Sequence, residues 1–139
     1  MAAGNHRRLL YHFADVVGAE QAVAQGAILP SAVPLRGLRN RREVVWLTEA
    51  PDVGPGLLPI AAAGPAQRSS GEQLVRFTVA VDDAQHWRHW AARHKVRRGT
   101  RRELEARGDG LSDLWWVVAR PVPSEQWLLV DEVGSITVP

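Results

Sequence analysis

Hydrophobic and polar positions follow readable periods along most of this chain. Leu9, Leu10, Tyr11, His12 and Phe13 form a short, aromatic-rich apolar run that reads as a buried strand. Asp15 then offers an N-cap, and Val16, Ala19, Ala22 and Val23 recur at helical spacing up to Gly26, a natural C′ residue. This predicts a helix ending near Gln25. Ala27 to Pro30 resumes extended chain, and Ser31 to Arg42, with Pro34, Gly37 and a run of arginines, reads as a loop. Val44 to Thr48 is the next strand. Pro51, Pro55, Pro59 and Pro65, interleaved with Gly54, Gly56, Gly64 and Gly71, mark a long connection of the kind that often carries function.

Leu74 to Val81 alternates Val75, Phe77, Val79 and Val81 against Arg76, Thr78 and Ala80, the period of an amphipathic strand. Asp82 or Asp83 is the expected cap of a helix whose Trp87, Trp90, Ala91 and His94 share one face. Thr100 with Glu103 fits a capping box for a short helix that Gly108 ends. Leu114 to Ala119 is a fully apolar strand, Pro121-Val122-Pro123 turns it, and Trp127–Val130 and Ser135–Val138 read as closing strands. The expected fold is α+β, a single domain over residues 1–139 with a helix near the start, one or two in the middle, and five to seven strands.

Composition narrows the chemistry. With 45% hydrophobic and 23% charged residues the 139-residue chain matches ordinary soluble domains, and no cysteine is present for a disulfide, a thiolate metal site or a cysteine nucleophile. No apolar run reaches the roughly 18 to 20 residues of a membrane span, and MAAGNHRRLLYHF lacks the apolar core of a secretory signal. The expectation is a soluble, cytoplasmic protein with no membrane partner. His86, His89 and His94 lie close in sequence but have no HExxH spacing, so no metal is expected. Neither a G-x-S-x-G elbow, a P-loop nor a G-x-G-x-x-G after a strand occurs, and Ser69-Ser70 has no neighbouring base.

Charge is informative by position. Seventeen Lys and Arg oppose fifteen Asp and Glu, yet Lys95 is the lone lysine among sixteen arginines. A GC-rich coding bias accounts for arginine over lysine; phosphate recognition by paired guanidinium donors is the functional reading. Arg93, Arg97, Arg98, Arg101 and Arg102 crowd one stretch, and Arg36, Arg39, Arg41 and Arg42 another, which marks the first group as candidate DNA or RNA contacts. Of the six tryptophans, Trp87 and Trp90 read as core. Adjacent Trp115 and Trp116 must point to opposite faces of their strand, so one of them faces a helix, a partner or a cleft.

His12, flanked by Tyr11 and Phe13 inside an apolar strand, needs a polar partner if buried. It is either a satisfied core histidine or a hydrogen-bonding group for a ribose, with the neighbouring aromatics flanking a base. Leu10-Tyr11-His12-Phe13-Ala14, the helix ending near Gly26, Ile28-Leu29-Pro30 and Val44-Val45-Trp46-Leu47-Thr48 resemble, in that order, the opening of the ADP-ribosyltransferase superfamily. The likeness is to small bacterial and phage members, including DNA-targeting toxins and RNA 2′-phosphotransferase relatives. LVRFTVAV and LWWVVARPVP also follow the family's order, so it spans most of the chain.

The resemblance implies a split β-sheet core with a few helices and NAD as substrate. By it, His12 holds the ribose and Thr48 takes the hydroxyl position of the nicotinamide pocket; Tyr11, Phe13 and Trp46 are the further candidate cofactor contacts. Two positions depart from the family pattern. Ala14 stands where a threonine is common, and Trp115 or Trp116 stands where the catalytic glutamate belongs. Asp113 and Glu125 are the candidate carboxylates, Asp113 preferred because it enters the strand while Glu125 follows the Pro-Val-Pro turn. Three readings follow: transfer of ADP-ribose to a nucleic acid or protein, a catalytically inactive nucleotide- or nucleic-acid-binding module on the same fold, and a protein-binding regulatory or immunity factor.

Overall fold

Val44, Val45, Trp46, Leu47 and Thr48 are all buried, so their strand has protein on both faces and organises two cores. The computed structural model describes residues 7–32, 43–51, 73–106 and 112–135. Its elements are β1 (Arg8–Asp15), α1 (Val16–Gln25), β2 (Ala27–Ile28), β3 (Ser31–Ala32), β4 (Glu43–Thr48), β5 (Gln73–Val81), β6 (Gln85–His86), α2 (Trp87–Arg93), α3 (Arg98–Ala106), β7 (Trp115–Val118), β8 (Val122–Pro123) and β9 (Trp127–Ser135). Short 3₁₀ turns, Ser112–Leu114 and Ser124–Gln126, precede β7 and β9. The expected α+β class holds, with nine strands among the described residues where five to seven were expected, because Ala27–Ile28, Ser31–Ala32, Gln85–His86 and Val122–Pro123 each add a two-residue strand.

The main sheet runs β6-β7-β4-β1-β5-β9, with β3 added beside β4, and every described pairing is antiparallel. β2 and β8 form a separate small sheet that pins the end of α1 to the Pro-Val-Pro turn. Alternation along each strand sorts residues to two sides. Leu10, Val45, Leu47, Val75, Phe77 and Val79 pack with Ala19 and Ala22 of α1 on one side. Val44, Trp46, Trp115 and Val117 pack with Trp87, Trp90 and Ala91 of α2 on the other. Trp46 lies against Trp87 at 5.1 Å between centroids and meets Trp115 edge-on at 5.8 Å, the tilted and T-shaped contacts that aromatic quadrupoles favour. The indole N–H groups of Trp46 and Trp115 are buried without an acceptor, so this block is held by packing alone at those points.

α1 forms as its caps dictate. Asp15 is its N-cap, accepting the Gly18 N–H at 2.6 Å, and Gly26 ends it in the left-handed region at φ 72°. Its buried stripe is Ala19 and Ala22, while Val23, expected on that stripe, is 58% exposed.

Several expected boundaries move. α2 is capped by His86, whose Nδ1 accepts the Arg88 N–H, and not by Asp82 or Asp83. The reason is that the Nε–H and Nη2–H of Arg120 both donate to the Asp83 carboxylate, which holds that carboxyl below the usual carboxylate range, and Gln85–His86 is drawn into the sheet beside β7. Thr100 lies within α3, whose first bond runs from the Arg101 N–H to the Arg97 carbonyl, so no capping box forms there. β9 is one strand to Ser135 where two were expected, with register irregularities opposite Leu74/Val75 and Thr78/Val79 absorbing the bend. Ser31–Ala32 pairs with β4 where a loop was expected. The remainder of that loop, the Arg36–Arg42 cluster, Ser69-Ser70, Gly108 and residues 136–138 lie outside the described residues.

Only a residue without Cβ occupies the Gly26 position at no steric cost. Gly26→Ala is expected to lower stability by about 1 kcal/mol through strain in the left-handed cap. Urea unfolding followed by circular dichroism measures it, and an unchanged midpoint would contradict the cap's role.

Candidate functional site

β1 is joined very differently to its two neighbours. It pairs with β5 along its whole length, from Arg8 opposite Val81 to Asp15 opposite Leu74, but with β4 through a single register pair, Tyr11 with Thr48. Continuing that register would set Phe13 against Trp46. Instead, the Trp46 carbonyl is taken by a side chain: His12 Nδ1 lies 2.9 Å from it. At the β1–β4 seam the two strands are therefore joined by one register pair and by this imidazole.

The protonation state of this imidazole follows from its partners. A carbonyl only accepts, so Nδ1 must carry the hydrogen. His12 is partly buried within the sheet, with Phe77 of β5 directly opposite and the ring centroids 6.0 Å apart. Desolvation lowers its pKa below 6.5, and the bond to Trp46 offsets only part of that shift. His12 is thus neutral at pH 7, and its Nε2 is a hydrogen-bond acceptor with no partner among the described residues. A ligand hydroxyl is the natural donor to it.

The other residues expected around the nucleotide do not gather on this nitrogen. His12 shares a face with Leu10, on the α1 side, whereas Tyr11, Phe13, Trp46 and Thr48 alternate to the opposite side. Phe13 and Trp46 are each only 2% exposed, and Trp46 belongs to the tryptophan core, so their rings offer no open stacking face. Thr48 is fully buried, and its Oγ1 accepts the Ala50 N–H at 3.1 Å, ordering the chain as it leaves β4. Tyr11 is half-buried beneath Arg76, whose guanidinium lies 5.7 Å from the ring, forks onto Asp131 and donates to the Pro51 carbonyl.

The two candidate carboxylates sit differently. Asp113 lies in the 3₁₀ turn ahead of β7 and is exposed, with its carboxylate paired to Arg88 of α2. Its partner helix α2 packs on the side of the sheet away from His12. Glu125 is exposed on the turn into β9, where the Ser124 N–H is bonded to the Gly26 carbonyl. That turn leads to Trp127, whose ring meets Phe77 edge-on at 5.0 Å. Rings of Trp127, Phe77 and His12 thus form a continuous row on the α1 side of the sheet.

A third carboxylate went unmarked in the sequence. Glu49 Oε2 accepts the Trp116 indole N–H at 2.8 Å, Arg8 stacks on Trp116 at 4.0 Å, and His86 meets the same ring edge-on at 5.4 Å. The signal was available: Glu49 follows Leu47 at strand period, and Leu47 pairs with Trp116.

Among the arginines, Arg101 is half-buried with its guanidinium near Glu105, while Arg93, Arg97, Arg98 and Arg102 are exposed on α2, α3 and their junction. Among the described residues no three histidine, aspartate or glutamate side chains cluster as a metal set, and no helix is long and apolar enough to cross a membrane. No protein-family model matches the chain, and no curated protein or solved structure is significantly similar to it.

The environment of His12 sets a pH signature. Between its lowered native pKa and 6.5 the unfolded chain holds a proton that the native state lacks, so stability falls as pH drops through that window and is constant above it. Relative to His12→Asn, the wild type should lose up to about 1.4 kcal/mol per pH unit there. Proton NMR of the imidazole should give a pKa below 6.5, and a value at or above it would contradict the buried neutral state.

Proposed function

We propose that this protein binds NAD or another ADP-ribosyl nucleotide at the β1–β4 seam and transfers the ADP-ribosyl group to an acceptor. The observation that carries this reading is His12: a neutral imidazole anchored through Nδ1–H to the Trp46 carbonyl, with Nε2 left to accept from a ribose hydroxyl. The seam supports it as well, since two strands joined by a single register pair leave backbone groups for a ligand to meet. The resemblance of the sequence to ADP-ribosyltransferases is the second ground for this reading.

In such a transfer the bond from ribose C1 to the nicotinamide nitrogen breaks, nicotinamide leaves with the electron pair, and the acceptor's nucleophile bonds to C1 and loses its proton. Positive charge develops on the ribose, so a nearby carboxylate is the useful group. Glu125 is the candidate for that role in this reading, on the turn that leads into the row of rings reaching His12, whereas Asp113 is paired with Arg88 of α2. This reverses the order of preference drawn from the sequence. Phe13 and Trp46 act as framework in this reading.

Calorimetric titration with NAD should give heat of binding that His12→Ala weakens at least tenfold, an effect of about 1.4 kcal/mol or more. Nicotinamide release should fall by orders of magnitude in Glu125→Gln and persist in Asp113→Asn. Absence of heat with folded wild-type protein at millimolar NAD rejects the proposal. Binding without any nicotinamide release identifies a non-catalytic nucleotide-binding module on this fold.

A further inference from the structure

The chain's one lysine occupies a position made for glycine. α2 closes in a Schellman arrangement: the Lys95 N–H donates to the Ala92 carbonyl at 3.2 Å and the Val96 N–H to the Ala91 carbonyl at 2.9 Å. Val96 and Ala91 are packed together in the tryptophan core, the apolar contact that accompanies this motif. The residue between must be left-handed, and Lys95 has φ 57°, the one non-glycine residue with positive φ among those described. Glycine takes that conformation freely, whereas a side chain strains it.

Two more local preferences are broken on the same corner. Arg97 and Arg98 open α3, at the positive end of its dipole, and the first turn carries no acid. Arg98 and Arg102 stand four residues apart, so like charges share one helix face. Each arrangement is unfavourable in the isolated protein, and each is relieved by the same thing, an anionic partner.

The structure also separates free cations from engaged ones. Arg88 and Arg101 are turned to Glu105, which itself accepts the Trp87 indole N–H at 3.1 Å. Arg93, Lys95, Arg97, Arg98 and Arg102 are exposed and pair with no described residue. Glu103 is the exposed carboxylate on α3 that stands against them.

We propose that this α2–α3 corner binds the phosphate backbone of a nucleic acid. Protein partners are usually anchored by aromatic or aliphatic side chains in the middle of a contact. Here Trp87, Trp90, Ala91 and Val96 are all buried, and the exposed large hydrophobics, such as Leu9, Val23 and Leu128, are on other elements. Charge without an apolar anchor suits a backbone that presents only phosphates, and it gives affinity without base readout. The corner lies across the sheet from His12, so the proposal stands whether or not the seam binds a nucleotide.

Lys95→Gly makes the test decisive, because it removes a cation while relieving strain. Binding of the full chain to a fluorescent DNA duplex of about 20 base pairs is measured by anisotropy across a series of salt concentrations, with single-stranded RNA of equal length in parallel. The wild type should bind one or both with a log–log salt slope of about −3 to −4.5. Arg98→Gln/Arg102→Gln should flatten the slope by about two and weaken binding at least tenfold at low salt. Lys95→Gly should flatten it by about one while its melting temperature stays level or rises, which excludes loss of fold as the cause. The relative affinities for duplex and RNA identify which nucleic acid the corner prefers. No binding to either, slopes unchanged in both variants, or displacement by polyglutamate as effective as by unlabelled duplex would overturn the proposal.

Discussion

β4 is the strand on which the molecule depends. It has no solvent side: Val45 and Leu47 complete the α1 core, and Val44 and Trp46 complete the tryptophan core. Both layers therefore stand or fall together, and a cavity on one face of β4 is transmitted to the other through a strand that cannot shift in register without exchanging its faces. The weakness of its join to β1 is the counterpart of this. β4 is firmly laddered to β7 from Val45 to Thr48, while toward β1 it keeps one register pair and a carbonyl that a histidine occupies. The candidate site lies at the join of the main sheet with the fewest register pairs, beside the strand that is buried on both faces.

Elements were legible in the sequence where a local signal agreed with the tertiary outcome. β1, β4, β5 and α1 are such cases, since Asp15, Gly26 and the alternation of Val75 to Val81 each act within a few residues. The errors came where a distant partner decided. Asp83 has the chemistry of a cap, but Arg120, far along the chain, claims it, and the cap passes to His86. Thr100 and Glu103 have the right spacing for a capping box, yet α3 starts two residues earlier at Arg98. A single-sequence reading holds no information on which of two feasible caps a remote guanidinium will take.

The site was half legible for the same reason. His12 stood out because a polar residue in an apolar strand demands a partner, but its partner is a backbone carbonyl, which no residue pattern encodes. Phe13 and Trp46 have the residue type of ligand contacts, but strand alternation sends them to the face opposite His12. The basic stretch was legible as a cluster. What the sequence did not distinguish was Arg101, folded in toward Glu105, from Arg98 and Arg102, left outside.

The order of strands in the sheet also bears on how the fold is reached. β1, the earliest described strand, sits between β4 and β5, and β4 must wait for β7, some 70 residues further on, before its other edge is covered. Almost every pairing closes a long loop, so loop-closure entropy is met before the contacts that repay it, and assembly belongs to the slower, high-contact-order regime of β-rich domains. Until β7 arrives, Trp46 has no Trp115 to pack against, and the stretch from Val45 to Thr48 lacks the strand that ladders to it. The interval between those two strands is when this chain is most exposed to mispairing.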